Sequence, residues 1–300
     1  MHAFRAMNTD VTVIASGDER AIAIDVADTF LEAERRFSRF LPTSELSALN
    51  RAEGPFAASP ELFDTLVRAR RYVERTDGIF DPAVGGALID LGYDRSFAPG
   101  ALDGPLRPRE RRRGAVARFL DVGLDVEGRV VTRPPHVRID LGGMVKGSTV
   151  DVAARRLGEV GAIDAGGDAF LRTTAEGDPW LVEIEDPRDA SRTVAVVAVM
   201  HRGVATSAPN RRRWRAGDAW LHHLVDPRTG ESAAGDLLQV TVFARTTEEA
   251  DVLAKTAFVL GRAAGEAFLR AEDAIGAVLV PKEGALAWVG ALDVREVAHA

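Results

Sequence analysis

The stretch IGAVLVPKEGALAWVG, residues 275–290, decides the architecture. Ile275–Val280 and Leu286–Val289 are apolar runs joined by Pro281-Lys282-Glu283-Gly284, a turn signature. Together they predict an antiparallel hairpin at the end of the chain. Upstream of it, Thr246 and Glu249 form a capping-box pattern that opens a helix ending before Gly261. Working back, strands are expected at Leu238–Phe243, Trp220–Val225, Thr193–Met200 and Trp180–Ile184. Alternating Val137, Ile139 and Leu141 predict another, followed by Gly142-Gly143 and a helix over Thr149–Leu157. Near the start, Met7–Ala15 is strand-like, with Val11 and Val13. Asp18–Phe37 reads as a helix with Ile22, Val26, Phe30, Ala33 and Phe37 on one face. Ser59-Pro60 is an N-cap and first-turn pair opening a helix that stops at Gly78. Strands in runs, interspersed helices and hairpins favour the α+β class over a purely parallel sheet.

Composition narrows the classes of function. The 300 residues contain no cysteine, which excludes a disulfide scaffold, thiolate zinc, iron–sulfur clusters and a cysteine nucleophile. It also excludes a lipid-anchoring cysteine. No apolar run approaches a membrane span, so no membrane insertion is expected. The start, MHAFRAMNTD, has no apolar segment of the secretory kind, and the cytoplasm is the expected compartment. The net charge of -7 argues against a general nucleic-acid binder. Only three of the 38 basic residues are lysines: Lys146, Lys255 and Lys282. Arginine is the surface filler here, so each lysine invites a question. One domain over 1–300 is expected, with a weak seam near 100–115, where Arg107–Arg113 reads as an exposed loop. The second basic run, Arg211–Arg215 around Trp214, also reads as a solvated loop.

Phosphate loops of the P-loop and dinucleotide types, zinc-protease helices and nucleophile elbows are absent from the sequence. Ile139-Asp140-Leu141-Gly142-Gly143-Met144-Val145-Lys146-Gly147 is the first candidate for chemistry. Glycines admit a ligand close to the backbone, and a helix start attracts anions. Lys146 adds a positive charge and Asp140 an acceptor. A plain strand-to-helix turn with a surface ion pair explains the same residues. Asp251 and Lys255, four apart on the capped helix, share a face; spacing alone favours a surface pair, and the scarcity of lysine stands against it. His222 and His223 fall on opposite faces if Trp220–Val225 is one strand, so they do not chelate together. Either can serve as a general base. Asp77-Gly78-Ile79-Phe80-Asp81-Pro82 is a helix stop that can also lay a backbone edge on a flat ring.

Taken in order, these blocks resemble the FAD:protein FMN transferase family, also called the ApbE family. The matching stretches are Met7-Asn8-Thr9, Phe37-Ser38-Arg39-Phe40, Ser44-Glu45-Leu46 with Leu49-Asn50, and Asp77–Pro82. Asp140–Gly147, Gly166-Gly167, Ala205-Thr206-Ser207, His223–Gly230 and Ala250-Asp251 through Gly261 complete the set. The resemblance implies a T-fold-type α+β fold of mixed sheets packed with helices, with FAD in a central cleft. It implies transfer of FMN from FAD to a Thr or Ser hydroxyl of a flavin-accepting protein, with release of AMP, assisted by Mg²⁺. By the same resemblance, Met7, Phe40, Ile79, Phe80, Asp81, Asp140, Lys146 and Val225 contact FAD. Gly143, through its carbonyl, and Asp251 hold the metal, and His223 is the general base.

The sequence departs from the family pattern in places. Lys255 stands where a Thr is usual in the metal shell; an ammonium cannot ligate a cation, so contact with the pyrophosphate or with Asp251 is expected instead. Phe40 replaces a usual Tyr, Ala83 a common Thr, and Ala208-Pro209-Asn210 a glycine-containing turn. Two further activities stay open on the same residues. One is hydrolysis of FAD to FMN and AMP, with water as the attacker. The other is FAD binding without turnover.

Overall fold

The computed structural model describes residues 1–96, 116–216, 219–273 and 275–297. The expected seam at Arg107–Arg113 lies outside the described residues. The helices are α1 (Glu19–Phe37), α2 (Glu45–Arg51), α3 (Pro60–Arg75), α4 (Gly85–Asp90), α5 (Val145–Ala154), α6 (Thr247–Leu260) and α7 (Arg262–Ala271). The chain sorts into two compact units. One comprises Met1–Phe30, Lys146–Ala208 and Gly235–Ala300; the other comprises Leu31–Val145 and Pro209–Ala234.

An eight-stranded antiparallel sheet organises the first unit. Its strands are His2–Ala6, Thr9–Ala15, Gly161–Ala165, Asp168–Arg172, Arg202–Ser207, Leu237–Ala244, Gly276–Pro281 and Ala287–Val289. Spatial order follows chain order, and every neighbouring pair runs antiparallel. The sheet is therefore a meander with long excursions, as the α+β reading requires. Side chains alternate between two cores because the strand period is two. Val11, Val13, Ile163 and Phe170 pack with Val26 and Phe30 of α1 and with Val150 and Ala153 of α5. Ala162, Leu171, Val204, Phe243 and Val278 point the other way. They meet Ile184, Val197 and Val199 of a second sheet, formed by Trp180–Asp186, Asp189–Val199 and Asp293–Val297. Each such large side chain contributes about 1.5–3 kcal/mol on burial.

One contact fixes α5 against α6. The Asp151 carboxylate of α5 accepts the backbone N–H groups of Thr247 (2.7 Å) and Glu248 (2.9 Å) at the start of α6. Thr246 caps the same helix, its hydroxyl accepting from the Glu249 amide at 3.2 Å, as the capping pattern predicts. Two glycines permit the approach. A Cβ on Gly147 would lie 2.7 Å from the Thr247 carbonyl oxygen, and one on Gly203 2.2 Å from the Thr247 nitrogen.

The second unit holds α2 to α4 with short sheets. Asn50 shapes its centre: its amide nitrogen donates to the Ile139 carbonyl and its amide oxygen accepts from the Ile139 N–H, both at 2.8 Å. This side chain substitutes for a neighbouring strand. Val137–Leu141 accordingly buries Val137, Ile139 and Leu141 in alternation, but among the described residues it makes an isolated bridge, Val84 to Arg138, rather than the expected strand. Other expectations are corrected by the same comparison. Met7 lies not in the opening strand but in a two-residue hairpin turn with Asn8, both at positive φ (49° and 59°). The Arg211–Arg215 run is not a solvated loop, because Arg213–Ala216 pairs with Ala219–His222 and Trp214 is fully buried. Trp220–Val225 divides into that strand and a separate Val225–Asp226 strand. The hairpin of residues 276–289 forms, but Asp293–Val297 follows it as a further strand.

Replacing Gly147 with Ala should destabilise the protein by about 1–3 kcal/mol, because the added methyl meets backbone rather than a movable side chain. Gly54→Ala, where nothing lies within 4 Å, should stay within about 0.5 kcal/mol of the parent. Urea denaturation of the two variants checks the difference.

Candidate active site

Two lysine–aspartate pairs meet in the first unit. Lys146, in the first turn of α5, donates to Asp168 at the start of its strand. Lys255 of α6 donates to Oδ1 of Asp251, one helical turn earlier. Asp168 and Asp251 are 1% and 3% exposed, so this is no surface pair. The second oxygen of Asp251, Oδ2, is buried with no hydrogen-bond partner among the described residues. Burial pushes the Asp251 carboxyl up to about 6, and the neighbouring Asp168 charge adds to the rise. Lys255 and Lys146 oppose it. Two of the three lysines of the chain thus share one small volume with two buried carboxylates.

An aromatic cluster forms in the second unit. The Arg39 guanidinium lies 4.0 Å from the Phe40 ring centroid and 4.5 Å from that of Tyr93. Its Nε is 2.5 Å from Asp140, and its Nη2 is buried without a hydrogen-bond partner among the described residues. Tyr93 stacks obliquely on Trp214, with centroids 5.5 Å apart, and the Trp214 indole donates to the Leu91 carbonyl at 2.8 Å. Val225 packs into the same cluster. Burial raises the Tyr93 phenol above its ordinary range.

Asp140 also accepts the Gly142 amide at 2.6 Å, which tightens the glycine turn. Asp81 spends its carboxylate on backbone: it accepts from Ala83 at 2.7 Å and from Phe119 at 3.1 Å. Burial raises its pKa, against the pull of those two amides. Phe80 is buried edge-on to Tyr72, and Ile79 is half-buried beside it. Asp77, Gly78 and Asp81 line a cavity of about 300 Å³ together with Arg118, Pro227 and Arg228. Two of the sequence blocks therefore share one hollow. Gly143 is half-buried in the turn that leads into α5.

The two histidines are held by different carbonyls. His223 Nδ1 lies 3.2 Å from the Arg212 carbonyl oxygen. A carbonyl only accepts, so the proton sits on Nδ1 and Nε2 carries the lone pair. His222 Nε2 faces the Ala233 carbonyl at 3.1 Å, and its backbone bonds to Ser232 in both directions. Its role is to pin the hairpin.

The structure thus brings Lys146, Asp251 and Lys255 together in one unit, and Phe40, Asp140 and Val225 around Arg39 in the other. Met7 packs instead against the helix-side core of the first unit. Sequence reading assigned no role to Asp168, Asp151, Arg39, Tyr93 or Trp214. The Arg-Trp-Arg alternation in the basic run was the available signal for Trp214, and the Gly166-Gly167 turn for Asp168.

The described residues thus form an antiparallel α+β fold with two ammonium groups anchored on buried carboxylates. Comparison with known proteins makes the class specific. The ApbE family model matches residues 7–279, and the chain belongs to that family. It is 30% identical over 271 residues to the FAD:protein FMN transferase of Treponema pallidum, an alignment covering 83% of this chain and 74% of that one. It is 27% identical to the enzyme of the same name from Salmonella typhimurium, over 91% and 81% of the two chains. The crystal structure of the ApbE protein from Thermotoga maritima superposes with a TM-score of 0.85 at 24% identity, covering 96% of each chain.

The raised pKa of Asp251 has a definite sign in stability. A carboxyl whose folded value, about 6, exceeds the ordinary aspartate value of 3.8 binds its proton more tightly in the native state. That contribution favours folding at low pH and is lost as pH rises through the window between the two values. Asp251→Asn carries no such charge. Its Tm relative to the parent should therefore climb between about pH 4 and about pH 6. Differential scanning fluorimetry in EDTA checks this, and a falling difference would show that Lys255 overcompensates the burial.

Proposed function

We propose that this chain is an FAD:protein FMN transferase, with its 300 residues acting as one transferase domain. The observation that carries the reading is the pair of ammonium groups, Lys146 and Lys255, fixed on buried Asp168 and Asp251. Phosphoryl transfer asks for positioning and charge neutralisation more than for covalent chemistry. In this reading the hydroxyl oxygen of a Thr or Ser on the acceptor protein forms a bond to the FMN phosphorus of FAD. The bond from that phosphorus to the bridging oxygen breaks, and AMP leaves with that oxygen. The hydroxyl proton passes to Nε2 of His223, whose lone pair the Arg212 carbonyl secures through the tautomer. Lys146 and Lys255 stabilise the charge on the diphosphate. Phe40, with Arg39 and Tyr93 about it, offers a flat face for a ring of FAD. Met7, Ile79, Phe80, Asp81, Asp140 and Val225 complete the proposed contacts. Among the described residues, no helix is long and apolar enough to cross a membrane.

Mg²⁺ fits this site poorly. Gly143 and Asp251 are the ligands the sequence suggested, and Asp251 Oδ2 is a buried oxygen without a partner. The other Asp251 oxygen is taken by an ammonium, however, and so is one oxygen of Asp168. Among the described residues, no group of three His, Cys, Asp or Glu side chains is placed to hold a metal. Two carboxylates already balanced by two ammonium groups leave little negative charge for a divalent ion, which prefers a near-ideal shell of six oxygens.

The test is incubation with FAD and a candidate acceptor, read by in-gel flavin fluorescence and AMP release. The parent should flavinylate the acceptor. His223→Ala should lower the transfer rate by about 10²–10⁴ while leaving FAD affinity, measured by flavin fluorescence quenching, within about threefold. Unchanged transfer in that variant would remove His223 from the reaction. AMP formed at an equal rate without acceptor would replace the transferase by a hydrolase.

A further inference from the structure

We infer that Lys255 supplies the positive charge that a divalent cation would otherwise bring, so that this chain transfers FMN without a metal. The inference rests on the transferase reading and concerns how its site is charged. Three observations carry it. Lys255 donates to Asp251, a carboxylate with 3% exposure on which the metal was expected. The Lys255 side chain is itself 22% exposed, so its ammonium, with three N–H donors and one engaged by Asp251, has donors to offer an incoming phosphate oxygen. Finally, Lys146 and Asp168 form a second such pair within electrostatic reach of Asp251. The cluster is therefore neutral as a set, with its ammonium groups as the partly exposed members.

The chemistry balances without a Lewis acid. The bond from acceptor oxygen to FMN phosphorus forms as the bond to the bridging oxygen breaks, AMP departs, and Lys255 keeps its proton throughout. The ammonium offsets charge on the non-bridging oxygens and holds the diphosphate in place. An ammonium is a weaker centre of charge than a divalent ion, but it is covalently resident and needs no loading.

Flavin transfer by the EDTA-treated parent should match transfer in millimolar Mg²⁺ within about twofold. Lys255→Gln keeps a hydrogen-bond donor for Asp251 and removes the charge; it should lose about tenfold or more in EDTA. Lys255→Thr uncovers Asp251 beside a hydroxyl oxygen. It should bind Mn²⁺ by electron paramagnetic resonance titration and gain Tm on adding Mg²⁺, whereas the parent should do neither. A parent that is inactive in EDTA and restored by Mg²⁺ would overturn the inference. So would Mn²⁺ binding by the parent that Asp251→Asn abolishes. Should the parent transfer no flavin under any condition, the transferase reading fails alone. The Mn²⁺ and Tm comparison between parent and Lys255→Thr then decides whether the ammonium takes the cation's place.

Discussion

The carboxylate of Asp151 holds the first two amides of α6, and the arrangement of charge in the first unit depends on that contact. A helix start exposes N–H groups that need partners, and a carboxylate also complements the dipole there. Supplying the partner from α5, rather than from a capping residue alone, ties two helices that the chain separates by almost a hundred residues. Lys146 lies five residues before Asp151, and Asp251 and Lys255 lie in the second and third turns of α6. Fixing the helix starts therefore fixes both lysine–aspartate pairs. Burial lifts the Asp151 carboxyl above its usual range even against these amides, which shows how dry the junction is. Gly147 and Gly203 belong to the same constraint, since any side chain there would push α6 outward.

Much of the sheet was legible because its signals are local. Capping by Ser59 and Thr246, the Val11–Val13 alternation and the hairpin at residues 276–289 each rest on residues close in sequence, and each appears where expected. Val137–Leu141 failed as a strand because its partner is a side chain, Asn50, some ninety residues earlier. Period-two burial is present there without a ladder, and sequence alone does not distinguish the two. The Arg211–Arg215 run failed for the opposite reason. Its charge reads as loop, whereas an exposed strand face of Arg213 and Arg215 leaves alternate residues free to bury Trp214.

The candidate site was legible in its ends and not in its middle. Lys146 and Lys255 drew attention because lysine is scarce, and Asp251 because it precedes Lys255 by one turn. Asp168 carried no such mark. It becomes significant only when a tight glycine turn delivers it to Lys146. Arg39 was equally hidden, one arginine among many, until two rings and a carboxylate closed around it. In both cases the missing information is a long-range pairing, and a residue's chemistry follows from what it is paired with.

In the transferase reading proposed above, that pairing assigns the ammonium groups to the chemistry rather than to the stability of the fold. A buried ion pair contributes little net stability, because desolvation offsets the attraction. Well-packed apolar residues would serve the α5–α6 junction better. Burial raises the Asp251 carboxyl against the pull of Lys255 and Lys146, and one of its oxygens has no hydrogen-bond partner among the described residues. Such an arrangement is poor packing but good preorganisation. The carboxylates orient the lysines before any ligand arrives, so little reorganisation remains to be done when negative charge is brought to them. A cluster that is neutral by itself also attracts no permanent counterion. In that reading its capacity for charge is kept for a ligand that presents phosphate oxygens to the exposed side of the lysines.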